Sequence, residues 1–142
     1  MATTRIATTN WAGSLLEGSG AVELNSSGVG KFDVTWASRS QEANGRTSPE
    51  ELIAAAHSSC FSMALSHGLA GAGTPPESVE TQASVTFQPG EGITGIVLSV
   101  KARVPGISAE DFQAAAQTAK ENCPVSKALA GAPISLEAEL LA

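Results

Sequence analysis

The sequence has no run of 18 apolar residues, so it contains no candidate for a membrane-spanning helix. Only 8 Lys and Arg residues stand against 14 Asp and Glu, which gives a net charge of −6. Because these few basic residues are scattered singly, the chain would repel a phosphate backbone, and we expect no nucleic-acid partner. With 42% hydrophobic and 15% charged residues, the composition is typical of a globular protein, and the length predicts one domain over residues 1–142.

The chain is also poor in cysteine, with Cys60 and Cys123 alone and no C-x-x-C pair. Disulfide-stabilised scaffolds are much richer in cysteine, so a purely structural disulfide is not expected. Together with His57 and His67, the two cysteines lack the paired spacing of zinc ligands, and we predict neither a metal site nor a cofactor. The N-terminal segment lacks the apolar core of a signal peptide, so we expect a cytoplasmic protein with free thiols.

The first half of the chain predicts strands followed by one long helix. Residues 5–37 alternate in short stretches broken by glycines, which indicates a three-stranded antiparallel meander. Residues 39–47 are expected to form a polar loop. Ser48 is followed by Pro49 and, three residues after the cap, by Glu51, a capping box that starts a helix of about 22 residues. Its apolar side chains occur on almost every side of the helix, which predicts a central helix that is buried on most sides.

The second half predicts a hairpin, two helices and a last strand. Residues 78–88 and 93–104 alternate in polarity on either side of a proline- and glycine-containing turn. A helix should follow Ser108 and end near Asn122, and a short helix should cover residues 125–130. Residues 134–140 alternate again as a strand. We therefore predict an α+β fold with antiparallel sheets around the long buried helix.

The two cysteines can each be interpreted in two ways from the residues alone. Cys60 lies within the long apolar helix, where a cysteine is more often an inert core residue than a nucleophile, although either role fits the residues. Cys123 precedes Pro124 at the predicted start of the short helix, where backbone N–H groups and the helix dipole favour a thiolate. A half-buried capping role fits Cys123 equally well.

Two motifs carry a resemblance to a known family. Residues 48–66 read SPEELIAAAHSSCFSMALS and residues 122–126 read NCPVS. Both closely resemble the signatures of the osmotically inducible protein C family, relatives of the organic hydroperoxide resistance proteins. Residues 104–107 and Trp11 also fit. Residues 14–23 contain no basic residue, although the organic hydroperoxide resistance branch has its arginine there, which favours the osmotically inducible branch. The resemblance implies an intertwined homodimer that reduces organic hydroperoxides to alcohols.

The resemblance also assigns roles. It implies that Cys60 attacks the peroxide as a thiolate and that Cys123 resolves the resulting sulfenic acid as an intramolecular disulfide. Glu50 corresponds to the family's glutamate, and the activating arginine falls on Arg39, with Arg46 as the fallback. A guanidinium beside a thiol favours the thiolate, which agrees with this role. A dithiol would then reduce the disulfide, and the family points to a lipoyl-type reductant.

The helix geometry predicts where Glu50 and Cys60 can meet. They lie ten residues apart on one helix, hence about 15 Å apart along its axis and roughly 80° apart in direction. They cannot meet within one straight helix. Two copies packed antiparallel about a twofold axis near Ala55 would bring Glu50 of one chain beside Cys60 of the other, so we predict a homodimer with two composite sites.

Other functions are compatible with parts of the pattern. The main alternative is a non-catalytic, stress-related protein that binds a ligand or partner and whose thiols are passive. A general disulfide oxidoreductase would lack its C-x-x-C motif, and a Cys-His hydrolase using His57 would lack a family-specific nucleophile motif.

Aromatic and sulfur-containing side chains could line an apolar substrate pocket, although ordinary core packing explains each of them as well. They are Trp11, Trp36, Phe61, Met63 and Phe87.

Overall fold

A computed structural model describes all residues, Met1–Ala142, and divides into two compact units, Met1–Leu52 and Ile53–Ala142. The fold is α+β, with one three-stranded sheet in each unit and four helices. No helix combines the length and the hydropathy that crossing a bilayer requires. The single domain expected from the chain length stays a prediction.

The first unit contains the predicted meander. Strands β1 (Thr8–Ala12), β2 (Ser19–Glu23) and β3 (Lys31–Val34) pair antiparallel in the order β1-β2-β3. Helix α1 (Trp36–Ser40) follows, so the prediction of a polar loop from residue 39 was wrong for its first residues.

A local hydrogen-bond pair explains why α1 forms. The Thr35 hydroxyl accepts the Ser38 N–H at 3.0 Å, and the Ser38 hydroxyl accepts the Thr35 N–H at 3.0 Å, which completes a capping box. A helix of one turn carries no hydrophobic periodicity, so the residue pattern did not reveal it.

Helix α2 (Pro49–Gly71) has 23 residues and confirms the predicted length. Ser48 accepts the Glu51 N–H at 3.2 Å, but the Glu51 carboxylate accepts from the Thr47 hydroxyl, so only half of the predicted capping box forms. At the other end, the Thr74 N–H reaches the Leu69 carbonyl at 2.9 Å past Gly73, whose φ is +91°. This hydrogen bond is typical of a Schellman motif, in which a residue just after the helix has a left-handed backbone conformation. Glycine adopts that conformation without a Cβ clash.

In the single chain, α2 is buried along one side. The fully buried side chains lie one turn apart and are His57, Phe61, Leu65 and Leu69. On the opposite side Ala55, Ala56, Ser59 and Met63 are exposed. Burial on most sides of the helix therefore stays a prediction that requires a second chain.

The second unit pairs β4 (Ser78–Gln88) with β5 (Gly92–Arg103) as the predicted antiparallel hairpin. Helices α3 (Ala109–Asn122) and α4 (Pro124–Ala128) then lead to β6 (Ile134–Leu140). Strand β6 pairs parallel to β5, so the prediction of purely antiparallel sheets was wrong for this sheet. The reason is connectivity, because a helical crossover between two adjacent strands returns the chain in the same direction.

The core of the second unit fixes the position of Cys123. Buried side chains of β5 form one hydrophobic cluster with those of α2 and α3, and Cys123 belongs to it. On α3 the buried residues recur with helical spacing at Phe112, Ala116 and Ala119. Cys123 follows as the C-cap of α3 and the N-cap of α4, which starts one residue earlier than the predicted 125–130 helix. The helix junction thus holds this thiol inside the core.

Candidate active site

The two cysteines lie together in the second unit. The Sγ atoms of Cys60 and Cys123 are 2.9 Å apart, although 63 residues separate them in the sequence. Both are free thiols, with Cys60 half-buried on α2 and Cys123 fully buried at the junction of α3 and α4. At this distance little movement separates the dithiol from a disulfide.

Hydrogen bonds favour the thiolate at Cys123. Burial is the largest single influence and raises its pKa. The bond with Cys60, the backbone N–H groups of Val125 and Ser126, and the Ser126 hydroxyl together outweigh burial, so the pKa lies below the ordinary cysteine value. This direction agrees with the thiolate interpretation of the NCPVS motif.

The pKa of Cys60 is raised instead. Burial is the main cause, the bond with Cys123 adds to it, and the backbone N–H of Val125 opposes it only in part. No cation is among the groups that shift this pKa. An attacking thiolate at Cys60 therefore requires a positive charge beyond these groups.

An ion pair in the first unit joins Arg39 to Glu50. Arg39 Nε donates to Glu50 Oε1 at 3.0 Å, and Arg39 Nη2 donates to Oε2 at 2.9 Å, so the guanidinium binds in a two-point fork. Glu50 is buried, whereas the Arg39 side chain is 33% exposed. Of the two arginines considered, the structure therefore joins Arg39 to Glu50, and Arg46 lies exposed in the following loop.

Arg39 also borders a cavity of about 340 Å³ in the first unit. The side chains around it are mostly apolar and include Trp11, Leu15, Val22, Val34, Trp36 and Leu52. Of the five side chains that were considered for a pocket or for core packing, Trp11 and Trp36 line this cavity. Phe61 is a core residue instead, and Met63 is exposed on α2. An apolar cavity with one guanidinium suits an apolar ligand that carries a polar or anionic end.

A buried polar pair adjoins the cysteines and was partly missed by the sequence analysis. His57 Nε2 lies 2.7 Å from the Ser126 hydroxyl, and both side chains are buried. Burial lowers the pKa of His57, which favours the neutral imidazole. His57, weighed above only for zinc spacing and a hydrolase role, is fully buried, and Ser126 was not considered. Its place in the NCPVS motif, three residues after Cys123, was the available signal.

The predicted site residues thus fall into two clusters, one in each unit. Cys60 and Cys123 form a dithiol next to Ser126, and Arg39 and Glu50 form a buried ion pair beside an apolar cavity. The dithiol can undergo thiol oxidation and disulfide exchange. The ion pair can hold a guanidinium rigidly in place for an anion.

Comparison with known proteins places these clusters in context. Residues 42–139 match the model of a protein family described as OsmC-like protein. The chain is 41% identical over 134 residues to Peroxiredoxin OsmC of Escherichia coli strain K12, covering 92% of each sequence. It is 30% identical over 105 residues to the organic hydroperoxide resistance protein OhrB of Bacillus subtilis strain 168, covering 73% of this chain and 77% of the relative.

A solved structure shows the same fold. It is the crystal structure of an organic hydroperoxide resistance protein OsmC from Legionella pneumophila, which is 26% identical to this chain. The alignment has a TM-score of 0.72 and covers 96% of this chain and 97% of that structure. The similarity therefore extends over both compact units.

Proposed function

The chain belongs to the OsmC-like protein family, and we propose that it reduces organic hydroperoxides to alcohols, with Cys60 as the attacking thiol and Cys123 as the resolving thiol. Its identity to the Escherichia coli peroxiredoxin over most of the chain assigns it cysteine-based, peroxiredoxin-like activity. The observation that carries the finer proposal is the 2.9 Å separation of the two sulfurs.

Accessibility separates the roles of the two thiols. Cys60 is half-buried and has exposed surface that a peroxide can approach, whereas Cys123 is completely buried. The Cys60 thiolate attacks one peroxide oxygen, the O–O bond breaks, and the alkoxide leaves and takes a proton to become the alcohol. Cys123 then attacks the Cys60 sulfenic acid, forming the disulfide and releasing water. A dithiol, which we propose to be of the lipoyl type, returns both thiols by exchange.

The raised pKa of Cys60 supports a site shared between two chains. We propose that the missing positive charge is Arg39 of a second copy, held in its fork by Glu50 of that copy. Glu50 and Cys60 are ten residues apart on α2, about 15 Å along an ideal helix, which argues against their meeting within one chain.

The exposed side of α2 supports the same dimer. Small side chains at Ala55 and Ala56 would let two such helices approach closely, and Met63 there is 71% exposed. Other large apolar side chains are exposed in the first unit, namely Ile6, Trp11, Leu15, Leu16, Val29 and Phe32. Apolar surface of this kind is typical of an interface. We propose an intertwined homodimer that buries α2 centrally and functions as one OsmC-like domain per chain in the cytoplasm.

The cavity beside Arg39 supports an organic rather than an inorganic peroxide. Its lining is mostly apolar, with Trp11 and Trp36 among the side chains, and a volume of about 340 Å³ is large enough for a hydrocarbon group. The guanidinium would then face the polar peroxide end of such a ligand.

Thiol counting after a peroxide pulse tests the function. The fully reduced protein is mixed with cumene hydroperoxide, and thiols, peroxide and alcohol are measured over time. We expect rapid loss of two thiols per chain and formation of one cumyl alcohol per chain. In Cys60→Ser, neither the thiol loss nor the alcohol formation should be rapid. Thiol loss at the rate of free cysteine would support the alternative, a binding protein with passive thiols, and would contradict the proposal.

A further inference from the structure

We propose that Trp11 is a specificity-determining residue of the apolar cavity and that it selects hydroperoxides with a compact aromatic or branched hydrocarbon group. This inference rests on the proposed peroxidase function and deepens it by naming the class of organic peroxide. Trp11 would contact only the hydrocarbon part of the substrate, so it takes no part in breaking the O–O bond.

Trp11 lies opposite a glycine on the neighbouring strand. It pairs with Gly20 in the register of β1 with β2, and Gly20 pairs in turn with Val34 of β3. Side chains directly opposite one another in adjacent strands share one face of a sheet. Trp11 and Val34 both line the cavity, and so does Val22, two residues after Gly20. The cavity therefore lies against the sheet face on which Trp11 and Val34 flank Gly20.

The indole ring of Trp11 fills the space above two glycines of the hairpin. A Cβ at Gly20 would lie 2.8 Å from Trp11 Cε3, and a Cβ at Gly18 would lie 2.9 Å from Trp11 Nε1, distances too short for a real Cβ contact. Neither glycine has a positive φ. The need for glycine at both positions therefore comes from the close approach of the indole ring and of backbone carbonyl groups.

A hydrogen bond also holds the indole ring in place. Trp11 Nε1 donates to the Gly13 carbonyl at 3.0 Å, in the turn between β1 and β2. This bond satisfies the single polar atom of the indole, so the ring can present an apolar face to the cavity. The residue nevertheless remains 42% exposed. A fixed ring that lines the cavity and keeps this much exposed surface forms a wall between the cavity and the outside of the first unit.

A fixed wall of this kind selects by the shape of the hydrocarbon group. If Arg39 faces the peroxide end, the hydrocarbon group packs against Trp11 in a cavity of about 340 Å³. A compact group buries its surface there, whereas a long straight chain must extend past the indole. Small differences in apolar contact within a pocket change kcat/KM by about tenfold or more. We therefore expect Trp11 to favour a cumyl group over a dodecyl chain.

Stopped-flow measurement of the second-order rate constant of Cys60 oxidation by different peroxides tests the proposal in the full-length protein. In Trp11→Ala we expect the rate constant for cumene hydroperoxide to fall about tenfold, and that for dodecyl hydroperoxide to change much less. The rate constant for hydrogen peroxide should stay unchanged, because this peroxide has no hydrocarbon group. Trp11→Phe keeps an aromatic ring over the glycines and should stay close to the wild-type values.

A second substitution displaces the ring without removing it. In Gly20→Ala the new methyl group occupies the place of the indole, so the ratio of the cumene to the hydrogen peroxide rate constant should fall. Adding Gly20→Ala to Trp11→Ala should lower this ratio no further, since no ring remains to be displaced. Gly131→Ala, where an added Cβ meets nothing, is the matched control.

Phe32→Ala tests whether any effect comes only from loss of exposed apolar surface. Phe32 is an aromatic residue of the same sheet with 41% exposure, but it does not line the cavity. This variant should keep the wild-type ratio of rate constants. Sedimentation of every variant shows whether its oligomeric state has changed.

The contradicting results are distinct from failure of the proposed function. Equal losses for cumene hydroperoxide and hydrogen peroxide in Trp11→Ala, or an unchanged ratio of cumene to dodecyl hydroperoxide, would overturn the role of Trp11 and leave the peroxidase function intact. Absence of Cys60 oxidation by every peroxide in the wild type would overturn both proposals. If Trp11→Ala does not fold, Trp11→Leu retains part of the apolar bulk and should lower the same ratios.

Discussion

Replacing Arg39 with alanine tests how the ion pair acts on both stability and chemistry. The substitution removes two hydrogen-bonding nitrogens, Nε and Nη2, from the Glu50 carboxylate and leaves that carboxylate buried. It also removes the cation that we propose for the Cys60 thiolate of a second chain. These two effects are separable because they respond differently to a second substitution.

The stability effect follows from the geometry of the pair. Hydrogen bonds to charged groups contribute about 1.5–3 kcal/mol each, but Arg39 is one-third exposed and solvent screening reduces that figure. We therefore expect Arg39→Ala to lower the free energy of unfolding by about 1–2 kcal/mol, or Tm by roughly 3–8 °C. Adding Glu50→Gln should recover part of this loss, because a neutral amide is less costly to bury than a carboxylate.

The effect on chemistry should be larger and should not recover in the double variant. Loss of a neighbouring cation changes the ionisation free energy of a thiol by about 1.4–3 kcal/mol, so the rate of Cys60 oxidation at pH 7 should fall about ten- to a hundredfold. Because the thiolate is the reacting form, the rate rises with pH through the pKa of the thiol. Without the guanidinium that rise should move to higher pH, and the two rates should converge in alkaline solution.

Stopped-flow measurement between pH 5 and about 10 gives the pH dependence of Cys60 oxidation by peroxide. Thermal denaturation in parallel gives the change in stability. Arg46→Ala is the matched control and should follow the wild-type profile. An unchanged profile in folded Arg39→Ala, or a shifted profile in Arg46→Ala, would refute the assignment of Arg39.

Three further outcomes are expected. Cys123→Ser should still lose the Cys60 thiol to peroxide but form no intramolecular disulfide, so intact mass after excess peroxide should show sulfinic acid, and its absence would contradict the resolving role. Gly73→Ala should destabilise the protein in urea by about 1–2 kcal/mol because its φ is +91°, whereas Gly68→Ala, with open space around the added Cβ, should stabilise it by about 0.5–1 kcal/mol. Ala55→Arg should shift the sedimentation of the dimer to that of a monomer and abolish peroxidase activity, and an active monomer would exclude the shared site.

Local sequence signals predicted most of the elements. Ser48 and Ser108 cap the helices that they were expected to start, and the alternating residues of β4 form the strand that their pattern predicts. These signals act within a few residues of the chain, so no knowledge of the folded neighbours is needed. Helix α1 escaped detection because its cap, Thr35, is followed by a single helical turn.

Long-range relations were harder to predict. The parallel pairing of β6 with β5 depends on the path of the chain through α3 and α4, and alternation of residues is the same in parallel and antiparallel edge strands. The contact of Ser126 with His57 joins positions 69 residues apart, which no spacing rule covers. The cysteine pair came from the family resemblance rather than from spacing, and the structure places its two sulfurs together.

Hybrid dimers test the shared site most directly. One chain carries Cys60→Ser and keeps Arg39, the other carries Arg39→Ala and keeps Cys60, and the two are refolded together in equal amounts. If each site combines Cys60 of one chain with Arg39 of its partner, half of the dimers contain one complete site, and cumene hydroperoxide reduction should recover to about one quarter of the wild-type rate per chain. Activity no higher than that of the two separate variants would contradict a site shared between chains.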